Sequence, residues 1–324
     1  VEMNERALAR WRPGRRPREF AEAHLWSSIQ YYWRGDYERV LAPARRGAEL
    51  GEDAAYVEAM ISGPAHLGLG LAGVGRHEEA LATFEQAVTQ GATFEVEPRF
   101  TSRATAMWAG VLRELFEIDE ARRLNEHAIA LGEEARFPGS QVSGKIDLLL
   151  LDVIAGEVGR AESAWPSLWD AAAQTKGWHQ WLWTTRLLHA KAEIALGAGR
   201  AEQALDAALE ALATAERYRR RKYVQASRLS LGRALHNLGR VEEALAELGR
   251  ALPGAQELAH PPTIWSTAVA LARVRADAGD DDGADEAHGL ARRALDQFAA
   301  GLSETRRERF LASPYLEAEI TLAR

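Results

Sequence analysis

The chain contains no cysteine among its 324 residues. This absence excludes disulfides, thiolate nucleophiles and zinc sites built on cysteine. It is compatible with the cytoplasm, where we expect the protein to reside. Long hydrophobic runs are missing too. The longest, residues 146–155, is interrupted by Asp147 and Asp152 and falls short of the roughly 18 residues that a membrane-spanning helix needs. We therefore expect no membrane partner.

Neither sign of charge is in large excess, since 40 basic residues face 47 acidic ones for a net charge of -7. This mild acidity gives no electrostatic case for direct contact with nucleic acid. Motifs for a phosphate loop or a nucleophile elbow are absent. His189 and Glu193 stand four residues apart, but no third metal ligand accompanies them. We expect no enzyme activity, no cofactor and no metal.

An internal repeat of about 40 residues organises the sequence. A Gly followed by Arg or Asp recurs between helical patterns, with successive spacings of 40, 84, 40, 40 and 40 residues. The longer gap holds one more turn, near Phe116-Glu117, which has no Gly. Seven units result, and their Gly turns lie at Gly35, Gly75, Gly159, Gly199, Gly239 and Gly279.

Small residues keep the same register and indicate where two helices cross closely. Five places after each turn lie Val40, Ala80, Ala121, Ala164, Ala204, Ala244 and Ala284. Seven places before it lie Ser28, Gly68, Ala109, Asp152, Ala192, Gly232 and Ala272. Asp152 is the main exception. Between the turns, apolar residues recur at intervals of three and four, which predicts amphipathic helices.

The second unit, with Gly68, Gly75, Ala80, Phe84 and Ala87, closely resembles the tetratricopeptide repeat (TPR). The resemblance covers about residues 18–300, although the unit is longer than the family's 34 residues. It implies an all-α, right-handed α-α superhelix of about seven TPR-like helix pairs with a C-terminal capping helix. The Gly-Arg-x-Glu-Glu-Ala turns and the segment 306–314 (RRERFLASP) also resemble the C-terminal repeat region of large ATP-binding bacterial transcriptional regulators of the maltose-activator and LuxR type.

We accordingly expect a lead-in or linker over residues 1–17, a solenoid over 18–302, and a capping helix with a tail over 303–324. The chain begins with Val1, and we expect it to belong to a longer protein. The expected helix pairs cover residues 19–34 and 36–51, 55–73 and 76–91, 97–115 and 118–135, 140–156 and 160–175, 178–197 and 200–217, 220–238 and 240–258, and 262–278 and 282–300.

In the TPR family, the first helix of each pair lines a concave groove, and the residue six places before the turn points into it. Here those positions hold Ile29, Leu69, Gly110, Val153, Glu193, Arg233 and Arg273. The last three lie 40 residues apart, so adjacent repeats should place them side by side as a ladder. One carboxylate against two guanidinium groups leaves a surplus of positive charge.

Other groove positions agree with a polar, locally basic C-terminal half and an apolar N-terminal half. They are Arg186, His189, His236, Asn237 and, in the third repeat, Arg103 and Arg113. Arginine is suited to bidentate capture of a carboxylate or phosphate. The alternative is that these charges are merely solvated on long helix faces.

Tryptophan is frequent, with ten residues. Trp165 and Trp169 share a helix face and are expected to pack the fourth repeat against the fifth. Trp178, Trp181 and Trp183 are spaced by three and two, so they cannot share one face. We expect one of them, with Trp181 as the candidate, to reach the groove or the solvent edge. The basic run Arg219 to Lys222 is interpreted as a solvated loop between repeats.

The sequence therefore predicts a non-catalytic module that binds a protein segment, a peptide or a small anionic effector in the concave groove. By resemblance it would be the sensor or interaction part of a larger bacterial regulator. A structural scaffold or oligomerisation arm, such as a homodimer, is the alternative.

Overall fold

The computed structural model describes residues 2–11, 16–94, 98–174 and 179–321, and these residues contain helices and no strand. The chain is all-α, as expected. The helices are α1 (Glu2–Ala9), α2 (Pro17–Arg34), α3 (Glu38–Asp53), α4 (Val57–Gly73), α5 (His77–Thr93), α6 (Arg99–Glu114), α7 (Ile118–Glu134), α8 (Pro138–Ile154), α9 (Val158–Gln174), α10 (Gln180–Gly197), α11 (Ala201–Arg217), α12 (Arg221–Asn237), α13 (Val241–Leu258), α14 (Pro261–Asp277), α15 (Asp281–Ala300), α16 (Glu304–Leu311) and α17 (Pro314–Thr321).

Helices α2 to α15 form the seven expected TPR-like pairs, in which each even-numbered helix comes first. In the first unit, α2 to α5 pack consecutively and α2 also touches α4. In the second unit, α9 to α15 pack consecutively, and the first helices α10, α12 and α14 also touch their neighbours among themselves. The chain divides into two compact units, of which the first comprises Val1–Arg113 and Asp119–Gly144, and the second Glu114–Ile118 and Lys145–Arg324.

The turn inside each pair places one residue in the left-handed region. At Gly75, φ is 84°, and the backbone N–H groups of Gly75 and Arg76 donate to Ala72 and Leu71 at 3.0 and 2.8 Å. This pattern closes a helix with a Schellman motif, for which glycine is favoured because it has no Cβ. Phe116 adopts φ 56° at the third turn without glycine, at the position where the repeat spacing predicts a turn.

The predicted turn of the fourth repeat is wrong by three residues. The left-handed residue is Gly156, with φ 78°, whereas Gly159 lies inside α9. The fully buried alanine of this repeat is therefore Ala161, and Ala164 is exposed. A shift of three residues is close to one helical turn of 3.6 residues, so small residues have nearly the same helical phase in both registers.

With the turn at Gly156, Asp152 no longer occupies the position of a helix crossing, so it is not an exception to the pattern of small residues. This carboxylate is buried and accepts hydrogen bonds from Nε and Nη2 of Arg160 at 2.9 and 2.5 Å. The position seven residues before the turn is instead Leu149, which is 2% exposed. The groove position, six residues before the turn, is likewise occupied by Leu150 and not by the predicted Val153.

Elsewhere the small residues lie at helix crossings. A Cβ added to Gly68 would come within 2.7 Å of the Phe84 ring, and one added to Gly232 within 2.5 Å of Leu248. Real Cβ atoms do not approach other heavy atoms so closely, so larger residues would push the paired helices apart. Phe84 and Leu248 are completely buried. Each thus contacts the glycine of its own pair, as the TPR-like pattern predicts.

Trp165 on α9 packs towards the fifth repeat, as predicted. Its ring stacks on Trp169 with centroids 5.1 Å apart, and its Nε1 donates to the carbonyl of Leu187 at 2.9 Å. Trp183 is buried, and the ring of His179 stacks on it at 5.2 Å.

The capping helix α16 is held within the second unit by an aromatic cluster. Phe310 is buried, and its ring centroid lies 4.9 Å from Phe298, 6.0 Å from Phe116 and 6.1 Å from Trp265. Beside it, Nε of Arg306 donates to Glu117 at 2.7 Å across 189 residues of sequence. A further short helix, α17, follows.

Candidate functional site

The charged ladder predicted at the sixth position before the turn contains one ion pair. Nη1 of Arg233 on α12 donates to Oε2 of Glu193 on α10 at 2.8 Å. The Glu193 side chain is 15% exposed and that of Arg233 is 39% exposed, so the pair lies at the boundary of solvent. The repeat length places these residues side by side because α10 and α12 are neighbouring first helices.

A serine completes the surroundings of Glu193. The hydroxyl of Ser230 donates to Oε1 of Glu193 at 2.7 Å and lies 3.4 Å from Nδ1 of His189. Burial by itself raises the pKa of Glu193, but the Arg233 guanidinium, His189 and the two hydrogen bonds outweigh it and hold that pKa below its ordinary value. Glu193 is therefore an ionised acceptor near neutral pH.

Two more predicted residues are paired with acids one repeat away. Nη2 of Arg186 lies 3.0 Å from Oδ1 of Asp147 on α8, and both side chains are mostly buried. Nε2 of His236 lies 2.6 Å from Oδ2 of Asp277 on α14, where the carboxylate is 58% exposed. These contacts connect α8 with α10 and α12 with α14, and Asp147 offsets the predicted positive charge of Arg186.

Arg273 is the surplus cation of the ladder. It is exposed on α14 and makes no ion pair with any residue in the described part of the chain. Asn237, at the end of α12, is also exposed. We call the contacting residues Glu193, Arg233, Ser230 and His189, together with Arg273 one repeat further along the chain, the charged cluster. It combines an ionised carboxylate, a shared guanidinium and an accessible guanidinium.

The two remaining predicted residues, Trp181 and Arg113, are not members of the charged cluster. Trp181 is half-buried near the start of α10, with its ring 5.6 Å from Tyr218 and the Arg220 guanidinium 4.2 Å from its centroid. Arg113 belongs to the first unit, at the end of α6, and is half-buried. Trp178 lies outside the described residues.

Sequence reasoning missed Ser230, Asp147 and Asp277, although a simple signal was available. Partners on neighbouring first helices are separated by close to one repeat. The separations are 39 residues for Asp147 and Arg186, 40 for Glu193 and Arg233, and 41 for His236 and Asp277. Complementary polar residues at this spacing therefore identify contacts between repeats.

The first helices of the first unit are less apolar than the sequence indicated. Ser28 on α2 is fully buried, and its Oγ lies 2.9 Å from Nδ1 of His66 on α4. Burial and the nearby Arg103 lower the pKa of His66 to about 3. Arg103 itself lies 3.8 Å from Glu58. The prediction based on the residue six places before each turn did not include these contacts, because His66 and Arg103 stand at other positions in their helices.

Among the residues that the structure describes, no three His, Asp or Glu side chains are grouped so that they could hold a metal ion. No helix among them has both the length and the apolar character to cross a membrane.

No family model matches the sequence, and no curated protein matches it. Similar solved structures include a Rap protein complexed with Competence and Sporulation Factor, with a TM-score of 0.64 and 13% identity over 94% of this chain and 86% of that chain. The Rap conjugation gene regulator of the plasmid pLS20, in complex with the Phr* peptide, has a TM-score of 0.66 and 11% identity over 87% of this chain and 76% of that chain. At such identities the likeness establishes the fold alone.

Proposed function

We propose that this chain is a non-catalytic module that binds a peptide or protein segment on the first helices of its second unit. The observation that carries the proposal is the charged cluster. Its ionised Glu193 is held by Ser230 and Arg233, while Arg273 is exposed one repeat further. An extended peptide offers both N–H donors and carboxylates, so it can use both kinds of group.

The similar fold of two Rap proteins supports a peptide ligand, since one of them was solved with the Phr* peptide. A layer of parallel first helices also suits an extended ligand, because each repeat presents side chains at the next step along it. We further propose that the module is the sensor or interaction part of a larger bacterial transcriptional regulator in the cytoplasm. This part of the proposal rests on the resemblance of the repeats and of residues 306–314.

The test is affinity selection of free hexapeptides from a random library by the purified chain, followed by affinity measurement on the selected peptides. The double variant Arg233→Glu with Arg273→Glu should weaken binding at least tenfold, because both cations become anions. The matched control is Arg292→Glu with Arg293→Glu, two exposed arginines on α15, which should change the affinity less than twofold.

Retention of affinity in the charged-cluster variant, with an unchanged thermal midpoint, would move the binding site elsewhere. Selection of no peptide, together with a stable dimer in light scattering, would favour the alternative of a scaffold or oligomerisation arm.

A further inference from the structure

The turn between α11 and α12 concentrates positive charge. Five of the six residues 217–222 are Arg or Lys. Arg219 adopts φ 53°, and the N–H groups of Arg219 and Arg220 donate to Glu216 and Ala215 at 2.9 Å. These bonds fix the backbone in a tight turn, so the basic side chains project from an ordered base. We call residues 217–222 the basic turn.

Two carboxylates beside the basic turn are largely exposed. Glu216 lies 3.1 Å from Arg228, and Glu257 lies 3.4 Å from Arg221. Both carboxylates are more than half exposed, and exposed pairs hold weakly. The basic turn is thus a locally positive region in a chain whose net charge is -7.

The start of α12 adds to this positive potential instead of offsetting it. Its first turn contains Arg221 and Lys222 and no acidic residue. A helix N-terminus carries a partial positive charge and is ordinarily complemented by Asp or Glu. In α13, for comparison, the first turn contains Glu242 and Glu243. The first turn of α12 therefore adds positive charge where the helix already carries a partial positive charge.

Aromatic rings alternate with the cations at this turn. The Trp181 ring centroid lies 4.2 Å from the Arg220 guanidinium and 5.6 Å from the Tyr218 ring centroid. The Arg217 guanidinium is 5.9 Å from the Tyr218 ring centroid. Tyr218 is 40% exposed, which is unusual for a large ring in this chain. These ring and cation contacts restrain the side chains and leave the exposed part of Tyr218 beside positive charge.

We propose that the basic turn, with Trp181 and Tyr218, is a docking surface for an acidic segment of a partner protein. Carboxylates of the segment would contact Arg217, Arg219 and Lys222, and an apolar side chain would lie on Tyr218. The surface is small, and the rest of the chain is acidic. A short acidic segment is therefore attracted over its whole length, whereas a long nucleic acid would also meet repulsion. The surface is separate from the charged cluster and does not depend on its function.

The probe is a fluorescein-labelled octapeptide of sequence EDLEDFED, compared with its neutral analogue QNLQNFQN and with a labelled twelve-residue oligothymidylate. Fluorescence anisotropy with the full chain at low and physiological salt measures binding. We expect the acidic peptide to bind, with an affinity that falls as salt rises, and the neutral analogue to bind at least tenfold more weakly. Tighter binding of the oligothymidylate than of the acidic peptide would overturn the proposal.

Two variants locate the surface. Arg217→Glu with Arg219→Glu and Lys222→Glu should weaken peptide binding at least tenfold, and Tyr218→Ala should weaken it severalfold without altering the salt dependence. The control carries the same change of charge elsewhere, as Arg250→Glu with Arg292→Glu and Arg293→Glu. Equal loss in the control, or no loss in the basic-turn variant, contradicts the proposal. Circular dichroism confirms that each variant is folded.

Discussion

Each unit of the chain places a serine against a histidine of a neighbouring first helix, but the two contacts have opposite characters. In the first unit, Ser28 and His66 are both at least 98% buried, and the histidine is neutral. In the second unit, Ser230 and His189 adjoin the ionised Glu193 and the half-exposed Arg233. The same spacing of about one repeat produces a dry contact in one case and a charged, accessible one in the other.

The difference shows what decides whether a polar contact between repeats can bind a ligand. The hydroxyl of Ser28 donates to the carbonyl of Leu25 at 2.7 Å, so its oxygen accepts the Nδ1 proton of His66. The hydroxyl of Ser28 and the Nδ1–H of His66 both have hydrogen-bond partners inside the protein, and they stabilise the packing of α2 against α4. Glu193 and Arg233 retain contact with solvent, so a ligand can compete for them. Burial, more than residue type, separates a structural pair from a candidate site.

The largest expected effect concerns a mostly buried ion pair of the second unit, between Asp147 and Arg186. Asp147→Asn should lower the free energy of unfolding by about 3 kcal/mol, because it deprives the mostly buried Arg186 of a charge partner. Replacement of both residues, as Asp147→Leu with Arg186→Met, should restore most of this stability. Urea unfolding measures both, and equal losses in the single and the double variant would show that the pairing contributes little.

The second prediction concerns pH and the first unit. The pKa of His66 is about 3 in the folded chain and near 6.5 in the unfolded chain. As pH falls below 6.5, His66 becomes protonated in the unfolded state but stays neutral in the folded state. The free energy of unfolding therefore decreases. Between pH 7 and pH 5 the loss due to this group should be about 2 kcal/mol. His66→Gln should lose correspondingly less in urea unfolding at the two pH values, and identical losses would contradict the assignment.

A pair of smaller effects separates the two units by their response to salt. Ser28→Ala should destabilise the chain by about 1–2 kcal/mol at any ionic strength, because the buried Nδ1–H of His66 loses its acceptor. Glu193→Gln should cost about 1 kcal/mol in low salt and less in high salt, because its half-exposed partner Arg233 is screened. Thermal unfolding at 20 mM and 500 mM sodium chloride gives the comparison. A salt-dependent loss for Ser28→Ala would mean that the contact between Ser28 and His66 is accessible to solvent.

The smallest effect serves as a baseline for both units. In the first unit, Arg76 donates two hydrogen bonds to Glu79, at 2.6 and 2.5 Å. In the second unit, Arg240 donates two to Glu243, both at 2.7 Å. All four side chains are largely exposed, so Arg76→Ala and Arg240→Ala should leave the thermal midpoint within the error of calorimetry. A clear decrease for one of them would reveal a further role for that turn.

The repeat could be predicted from sequence because it depends on backbone geometry. A left-handed turn residue, a small residue at a helix crossing and a 3.6-residue period each restrict local sequence, so Gly75, Ala80 and Phe84 suffice to define a pair. The same rules fail where two glycines compete, as at Gly156 and Gly159, since each is compatible with the helical phase.

The candidate site was predictable only in part, because side chains form it across repeats. Glu193 and Arg233 followed from their phase in the helix, but Ser230 is an ordinary serine until the opposite helix is known. Whether a charge such as that of Arg186 is exposed or paired depends on the residue one repeat earlier. Local patterns do not contain that information.

The contact between Arg306 and Glu117 gives the second unit a particular order of assembly during synthesis. A ribosome that has just made the turn at residues 114–118 must add nearly two hundred residues before the partner of that turn exists. Phe116 therefore stays without its Phe310 neighbour while the intervening helix pairs emerge and pack. Since domains generally form from the N-terminus as they are made, these contacts would form only when α16 arrives, after the helix pairs between residues 118 and 300 have been made. A nascent chain stalled before that helix would expose an apolar turn that chaperones recognise.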